Sequence, residues 1–451
     1  MTGVSWRRAP RIAVDTARVW YQAASYLAAS RTTRAVRHVG TRAPHLLLLV
    51  RHLPPAVNGG VYRPIALMQA AVANGWRVTA LCQPGPECPS PAGLEAKARI
   101  PSQVRVVEWQ FSQADVSGRV TPSLDGGFSN IDSIIDVARR TLGSDVPDLV
   151  LATGPSFAEF VAAMVLGARW RVPYALDYRD EWSECPMHFV QKGNSDRFWE
   201  SRVLSQAGLV TFTTEAQRQH QIRTFPALNA RVTDVVPNGW DEPPADARTS
   251  LEGAPSRGRI QVVFLGNVSI YDAPGFLQVL AATLAAKPDL ASLIEVGFVG
   301  MKEPKDVKAI TEFPIPGVVS SVAQVPLSEA QRLMRSAEAL LYLNPAQFNR
   351  YVGGKAWEYI AAGRPVLVYG EGGESGALFE GYGPAMLVPR GNPAALGEAL
   401  ERIVSRPVPS PVDPGFLRET ARPFRAAQHI TKLECLIGKS AGNGASSQQG
   451  G

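Results

Sequence analysis

The stretch GGKAWEYIAAGRPVLVYG, residues 353–370, decides how the chain is read. It opens on a glycine turn, continues as a short helix carrying Lys355 and Glu358, stops at Gly363 and runs into an apolar strand. A helix delivered by glycine into a short, uninterrupted apolar run is one half of a strand–helix–strand unit. The question is whether the same unit recurs.

It recurs along most of the chain. PHLLLLV, RVTALC, VRVVEW, PDLVLATG, PYALDYRD and LVTFTT read as buried strands, with helix-like segments such as RPIALMQAAVANG and SFAEFVAAMVLGARW between them. Residues 241–259, DEPPADARTSLEGAPSRGR, are rich in Pro, Gly and charge, lack apolar periodicity and read as a linker. After it the alternation resumes with IQVVFLGN, LIEVGFVG, EALLYLNP, PVLVYG and AMLVP. Near-continuous apolar strands alternating with helices predict parallel, doubly wound sheets. The expected architecture is α/β, with two Rossmann-like domains over residues 44–240 and 260–413 facing across a cleft. Residues 84–129 are expected to hold long loops, and the low-complexity tail 439–451 to be disordered.

Composition narrows the class. With 45% hydrophobic and 19% charged residues the chain is that of a globular protein. No apolar run approaches the roughly 18 residues of a membrane span, and no secretory leader is recognisable. The four cysteines form no C-x-x-C pair and read as thiols of a reducing cytoplasm; the histidines have no metal-ligand spacing. The net charge of +6 is uneven: residues 1–44 hold eight Arg against one Asp, whereas the remaining 407 carry 38 basic and 39 acidic groups. A neutral body argues against nucleic acid as a partner. In the leader, residues 1–43, helical periodicity puts Ile12, Val19, Ala23, Tyr26 and Leu27 on one face, Trp20 at its margin, and Arg7, Arg11 and Arg18 opposite. Such a helix suits an anionic membrane surface, and equally suits packing on the body.

Four motifs carry candidate chemistry. Gly59 and Gly60, between the first strand and a helix, suit either a plain turn or the approach of an anion to backbone N–H groups; Gly266 ends the first strand of the second domain in the same way. LDYRDEW sets Asp177, Arg179, Asp180 and Glu181 at the carboxyl end of a strand, as an acid/base or acceptor cluster or as an ion pair closing a loop. VVPNGWD, residues 235–241, is a strand ending in Asn–Gly. Lys355 and Glu358, three apart, share a helix face; the cation suits a diphosphate and the carboxylate a pair of ribose hydroxyls, but spacing alone fits an exposed ion pair as well.

Taken together, GGKAWEYIAAGRPVLV, VVPNGWD, VVFLGN and LDYRDEW resemble, in order and spacing, the nucleotide-sugar-dependent glycosyltransferases of the GT-B fold. The nearest likeness is to the retaining "group 1" family, which includes many enzymes of bacterial polysaccharide synthesis. The resemblance covers residues 44–405 and implies a final helix near 414–438 crossing back to the first domain. It implies that Glu358 holds the donor ribose, that Lys355 contacts the diphosphate, and that Gly266 and Asn267 form the donor-phosphate loop. Gly59 and Gly60 match the family's first-domain glycine loop. Asp177 and Asp180 match an Asp-x-Arg-Asp-x-Trp pattern on the acceptor side, with Arg179 and Glu181 beside them. Asp177, Asp180 and Lys355 are thus the candidates for the chemistry. There are three departures. Arg350 stands where the family's E-x7-E pattern has its first glutamate, and could instead hold the diphosphate; GNVSIYDAPG lacks the usual Arg and Lys; and LATGPSFAEF lacks a histidine.

The resemblance implies transfer of a sugar from a nucleoside diphosphate sugar to a saccharide or lipid-linked acceptor, with retention, without cofactor or metal. It places the protein in the cytoplasm, or peripherally on the inner face of the membrane. A nucleotide-sugar 2-epimerase on the same fold, and a non-catalytic nucleotide- or membrane-binding relative, are the alternatives.

Overall fold

The computed structural model describes residues 9–29, 42–110, 128–187, 190, 192–242, 258–370, 372–405 and 412–445. Most of the expected linker, residues 111–127 of the expected loop interval, and the side chains of Ile12 and Val19 lie outside them. The chain divides into two compact units, residues 1–89, 97–236 and 426–451 in one, 90–96 and 237–425 in the other.

The first unit is built on seven strands: β1 (His45–Val50), β2 (Arg77–Cys82), β3 (Arg105–Glu108), β4 (Leu149–Gly154), β5 (Tyr174–Tyr178), β6 (Leu209–Phe212) and β7 (Val232–Val235). They are all parallel, in the order β3-β2-β1-β4-β5-β6-β7. All six residues of HLLLLV are buried. That follows from helices covering both faces, which removes any reason for alternation. The helices of this stretch of chain are α1 (Ala9–Ala29), α2 (Tyr62–Ala73), α3 (Pro91–Ala98), α4 (Phe128–Leu142), α5 (Ala158–Trp170), α6 (Asp196–Leu204) and α7 (Glu215–Thr224); most of α3 is counted with the second unit. Helix α3 occupies part of the interval expected to be loop.

The leader helix α1 packs on α4 and α5. Ala23 and Tyr26 of the expected apolar face are buried, and both Gln22 and Tyr26 hydrogen-bond to Asp132 of α4. Over Ala23 and Tyr26, the face packs on the body. Trp20 and Tyr21 point away, 60% and 76% exposed.

The second unit repeats the scheme with β8 (Ile260–Leu265), β9 (Ile294–Val299), β10 (Val319–Val322), β11 (Ala339–Leu343), β12 (Val366–Tyr369) and β13 (Ala385–Val388), in the order β10-β9-β8-β11-β12-β13. Strand β10 carries no expectation from sequence: VSSV sits at the sheet edge, partly or wholly exposed, and has no apolar run to announce it. Its helices are α8 (Ala273–Ala286), α9 (Leu290–Leu293), α10 (Pro304–Thr311), α11 (Leu327–Ser336), α12 (Gly354–Ala361), α13 (Gly373–Glu380), α14 (Pro393–Ser405) and α15 (Pro414–Thr420). A last helix, α16 (Arg422–Ala445), starts in this unit; from Ala426 it belongs to the first, and it runs beyond the expected boundary at 438. Ala426, Ile430, Leu433 and Ile437, spaced four, three and four, form the stripe it buries in the first unit's core.

Both sheets reverse their winding direction once, between β1 and β4 and between β8 and β11. Beyond the carboxyl ends of strands at such a point, helix N-termini and loops diverge and leave room for a ligand.

Candidate functional site

In the first unit the switch point is organised by Arg179, which follows β5. Its guanidinium donates to Gly154 O (2.9 Å), Pro155 O (2.9 Å) and Gly60 O (2.7 Å), tying the ends of β4 and β5 to the glycine loop after β1. Gly60 N–H donates to Asn58 Oδ1 at 2.9 Å, which fixes the loop. A Cβ on Gly60 would lie 2.2 Å from Arg179 Nη1, so any side chain there would displace the guanidinium; around Gly59 a Cβ would meet nothing within 4 Å. Gly59 is therefore the member of the pair open to a ligand.

The LDYRDEW carboxylates divide by environment. Asp177 is buried and accepts from Arg63 Nε (2.9 Å) and Nη2 (2.7 Å), Thr153 Oγ1 (3.0 Å) and Thr211 Oγ1 (2.9 Å). Burial alone would raise its pKa, but the Arg63 ion pair outweighs this and holds the carboxyl well below the usual range. With its acceptor positions taken and no exposure, Asp177 has the surroundings of a structural anchor. Glu181 is also fully buried, 3.7 Å from His220 Nε2. Asp180 is only half-buried. Desolvation, opposed by Arg179 and aided by the charge of Glu181, lifts its pKa to about 6. Among these carboxylates it is the one both reachable and poised to exchange a proton near neutrality. Sequence reasoning missed Arg63, Thr153, Thr211 and His429, all buried about Asp177, because nothing in their local sequence signals that they converge.

In the second unit Gly266 ends β8 with φ +148°, a conformation for which glycine is suited. A Cβ placed there would stand 4.0 Å from Lys355 Cγ, so the glycine loop and α12 lie side by side. Asn267 turns its side chain back to accept from Ser269 N–H at 3.2 Å, shaping the loop. The N-terminus of α12 at Gly353 has no side-chain cap, and Gly354 is open. Uncapped N–H groups with a lysine on the first turn make a local anion-attracting surface. Trp357, Tyr359 and Ile360 anchor the opposite side of α12 in the core. Lys355 pairs with Glu358, their side chains 28% and 9% exposed. Arg350 is half-buried on the turn between β11 and α12.

VVPNGWD is more than a turn. Gly239 has no room for a Cβ, which would fall 2.5 Å from Thr420 O and 2.8 Å from Arg422 N. Trp240 O accepts from Arg422 N–H (2.7 Å), and Trp240 Nε1 donates to Leu417 O (2.9 Å). The segment leading into α16 is thereby docked against it. This brings Arg422 to Asp241 (3.0 Å) and within 3.6 Å of Glu358. Neither contact follows from sequence, since the three residues are far apart in the chain. Among the described residues no three His, Cys, Asp or Glu side chains are grouped so as to hold a metal ion.

Residues 58–239 match the family model described as "Glycosyl transferase 4-like domain". Comparison with curated proteins finds no match. Among solved structures, the chain is similar to a sucrose-phosphate synthase from Thermosynechococcus elongatus, at 18% identity over 89% of this chain and 98% of the other, with a TM-score of 0.58. It is similar to an α,α-trehalose 6-phosphate synthase from Burkholderia multivorans at 13% identity, covering 91% and 99%, TM-score 0.62. A trehalose-6-phosphate protein from E. coli bound with UDP-2-fluoro glucose is similar at 13% identity, covering 88% and 99%, TM-score 0.54. At such identities the likeness carries the fold: two parallel doubly wound α/β units, as in GT-B proteins. The domain match and this architecture together support a glycosyltransferase of the GT-B fold.

Proposed function

We propose that this protein transfers a glycosyl unit from a nucleoside diphosphate sugar to an acceptor hydroxyl, with retention and without a metal ion, in polysaccharide or glycoconjugate synthesis. The observation that carries the reading is the meeting of Gly266, Lys355 and Glu358 at the switch point of the second sheet, beside the uncapped start of α12. Negative charge grows on the departing diphosphate as the glycosidic bond breaks, and fixed positive groups lower that barrier. Lys355, Arg350 and the backbone N–H groups near Gly266 and Asn267 supply them, and Glu358 binds the ribose. The structurally similar E. coli protein is bound with a UDP sugar, which fits a donor of this class. On the acceptor side Asp180 handles the proton, Arg179 holds its loop, and Glu181 supports it from the interior.

The acceptor is a saccharide or a lipid-linked saccharide, met at the inner face of a membrane. With the apolar face of α1 spent on the body, the contact with anionic lipid moves to Trp20 and Tyr21, aided by the arginine excess of the leader.

Thermal stabilisation by UDP, GDP, dTDP and ADP, on wild type and Glu358→Gln, tests the donor site. Stabilisation by one nucleotide, largely lost in the variant, supports the reading and names the base. Stabilisation by none of them rejects it in favour of a non-catalytic role.

A further inference from the structure

We infer that Arg422 is a positioning residue for Glu358, held in place by the Asn–Gly–Trp–Asp segment 238–241; this rests on Glu358 being the donor-ribose carboxylate. Four side chains form a line of alternating charge: Asp241, Arg422, Glu358, Lys355. Arg422 Nε donates to Asp241 Oδ1 at 3.0 Å, Arg422 Nη2 lies 3.6 Å from Glu358 Oε1, and Lys355 takes Glu358 Oε2. The two ends of the line differ in mobility. The Arg422 side chain is 7% exposed and its backbone is locked by the 2.7 Å bond to Trp240 O and by the missing Cβ of Gly239. The more exposed Lys355 sits on a flexible stem and is paired with Glu358.

A buried guanidinium stays where its carboxylates are, because withdrawing either leaves an uncompensated charge in a poorly solvated place. Arg422 therefore fixes Oε1 of Glu358 and leaves Oε2 as the oxygen that can change partners. In this structure Lys355 fills that place. A nucleoside diphosphate separates the pair: its ribose hydroxyls donate to Oε2, and its phosphates attract the released Lys355. Glu358 keeps its orientation throughout, since Arg422 does not move with Lys355. Asp241 acts on the ribose only through Arg422, which gives the motif a role at a site it does not touch.

The test compares Kd values of UDP, GDP and ADP with those of their 2′,3′-dideoxy counterparts, and of inorganic pyrophosphate, for wild type, Arg422→Gln, Asp241→Asn and Glu358→Gln, with melting curves to confirm folding. The ratio of dideoxy to ribo Kd should fall about tenfold in Glu358→Gln, the size of one lost charge-assisted hydrogen bond. It should fall comparably in Arg422→Gln and in Asp241→Asn, with pyrophosphate binding unchanged. A purely structural role would weaken all ligands together and leave the ratio intact, which overturns the inference. If the ratio falls in Glu358→Gln but not in the other two, positioning by Arg422 fails and the donor reading stands. If Glu358→Gln leaves the ratio unchanged, or wild type binds no nucleotide, the donor reading fails first and takes the inference with it.

Discussion

Gly60 O accepts a 2.7 Å hydrogen bond from Arg179 Nη1, and the same guanidinium fills the space where a Cβ of residue 60 would go. Gly60→Ala therefore meets the movable end of a side chain rather than backbone. The fold should survive, with a loss of about 1 kcal/mol for one hydrogen bond, read as a small drop in Tm. The glycine loop, no longer clamped, should lose at least about tenfold in kcat/KM. Transferase activity at wild-type level would show that the loop needs no such clamp.

Asp177 and Arg63 are a buried ion pair with two direct hydrogen bonds. Removing one partner strands the other: Asp177→Asn should destabilise the protein by about 3–5 kcal/mol in urea unfolding. The double replacement Arg63→Met, Asp177→Leu should recover much of that. Because the native pKa of Asp177 is depressed, its contribution is complete above the unfolded-state value of about 4. It is lost as pH falls from there toward the native value. An Asp177→Asn protein as stable as wild type at pH 7 contradicts this account.

Asp180, raised by desolvation to about 6, accepts a proton only when ionised. The rate should therefore fall as pH drops through about 6 and level off above it. Asp180→Asn should lower kcat by about 10²-fold or more and abolish that acid limb. A variant that keeps the limb assigns it to another group.

Trp20 and Tyr21 face away from the body, whereas Tyr26 faces into it. Replacing the first two by Ala should change stability by less than about 0.5 kcal/mol, yet cut binding to vesicles rich in anionic lipid several-fold. Tyr26→Ala should do the reverse, lowering Tm. Equal vesicle binding by wild type and the Trp20→Ala, Tyr21→Ala protein would remove the lipid surface from the proposal.

Much of the fold was legible. HLLLLV, LVLATG and PVLVYG are apolar at every turn because both faces of a parallel sheet are covered, so each strand announces itself without its neighbours. Glycine punctuation did the same for α12 and the loop at Gly266, where the conformation of one residue is set by its lack of a side chain. The edge strand β10 was silent, since an exposed edge makes no demand on composition. The leader helix was legible as amphipathic, but periodicity cannot name what covers the apolar side.

What the sequence determined by itself is therefore whatever depends on neighbours in the chain: the strand–helix alternation, the turns, and the Lys355–Glu358 pair on one helical face. Tertiary structure alone decided which carboxylate is spent and which is free. Asp177 and Asp180 stand three residues apart in one motif, yet one is saturated by Arg63, Thr153 and Thr211 and the other is open to titration near neutrality. The same holds for Arg422, an ordinary arginine in sequence, which reaches Asp241 and Glu358 only after the chain has folded back. Coulombic and hydrogen-bond energies act over a few ångströms in space, and the sequence carries no record of which distant residues fall within that distance.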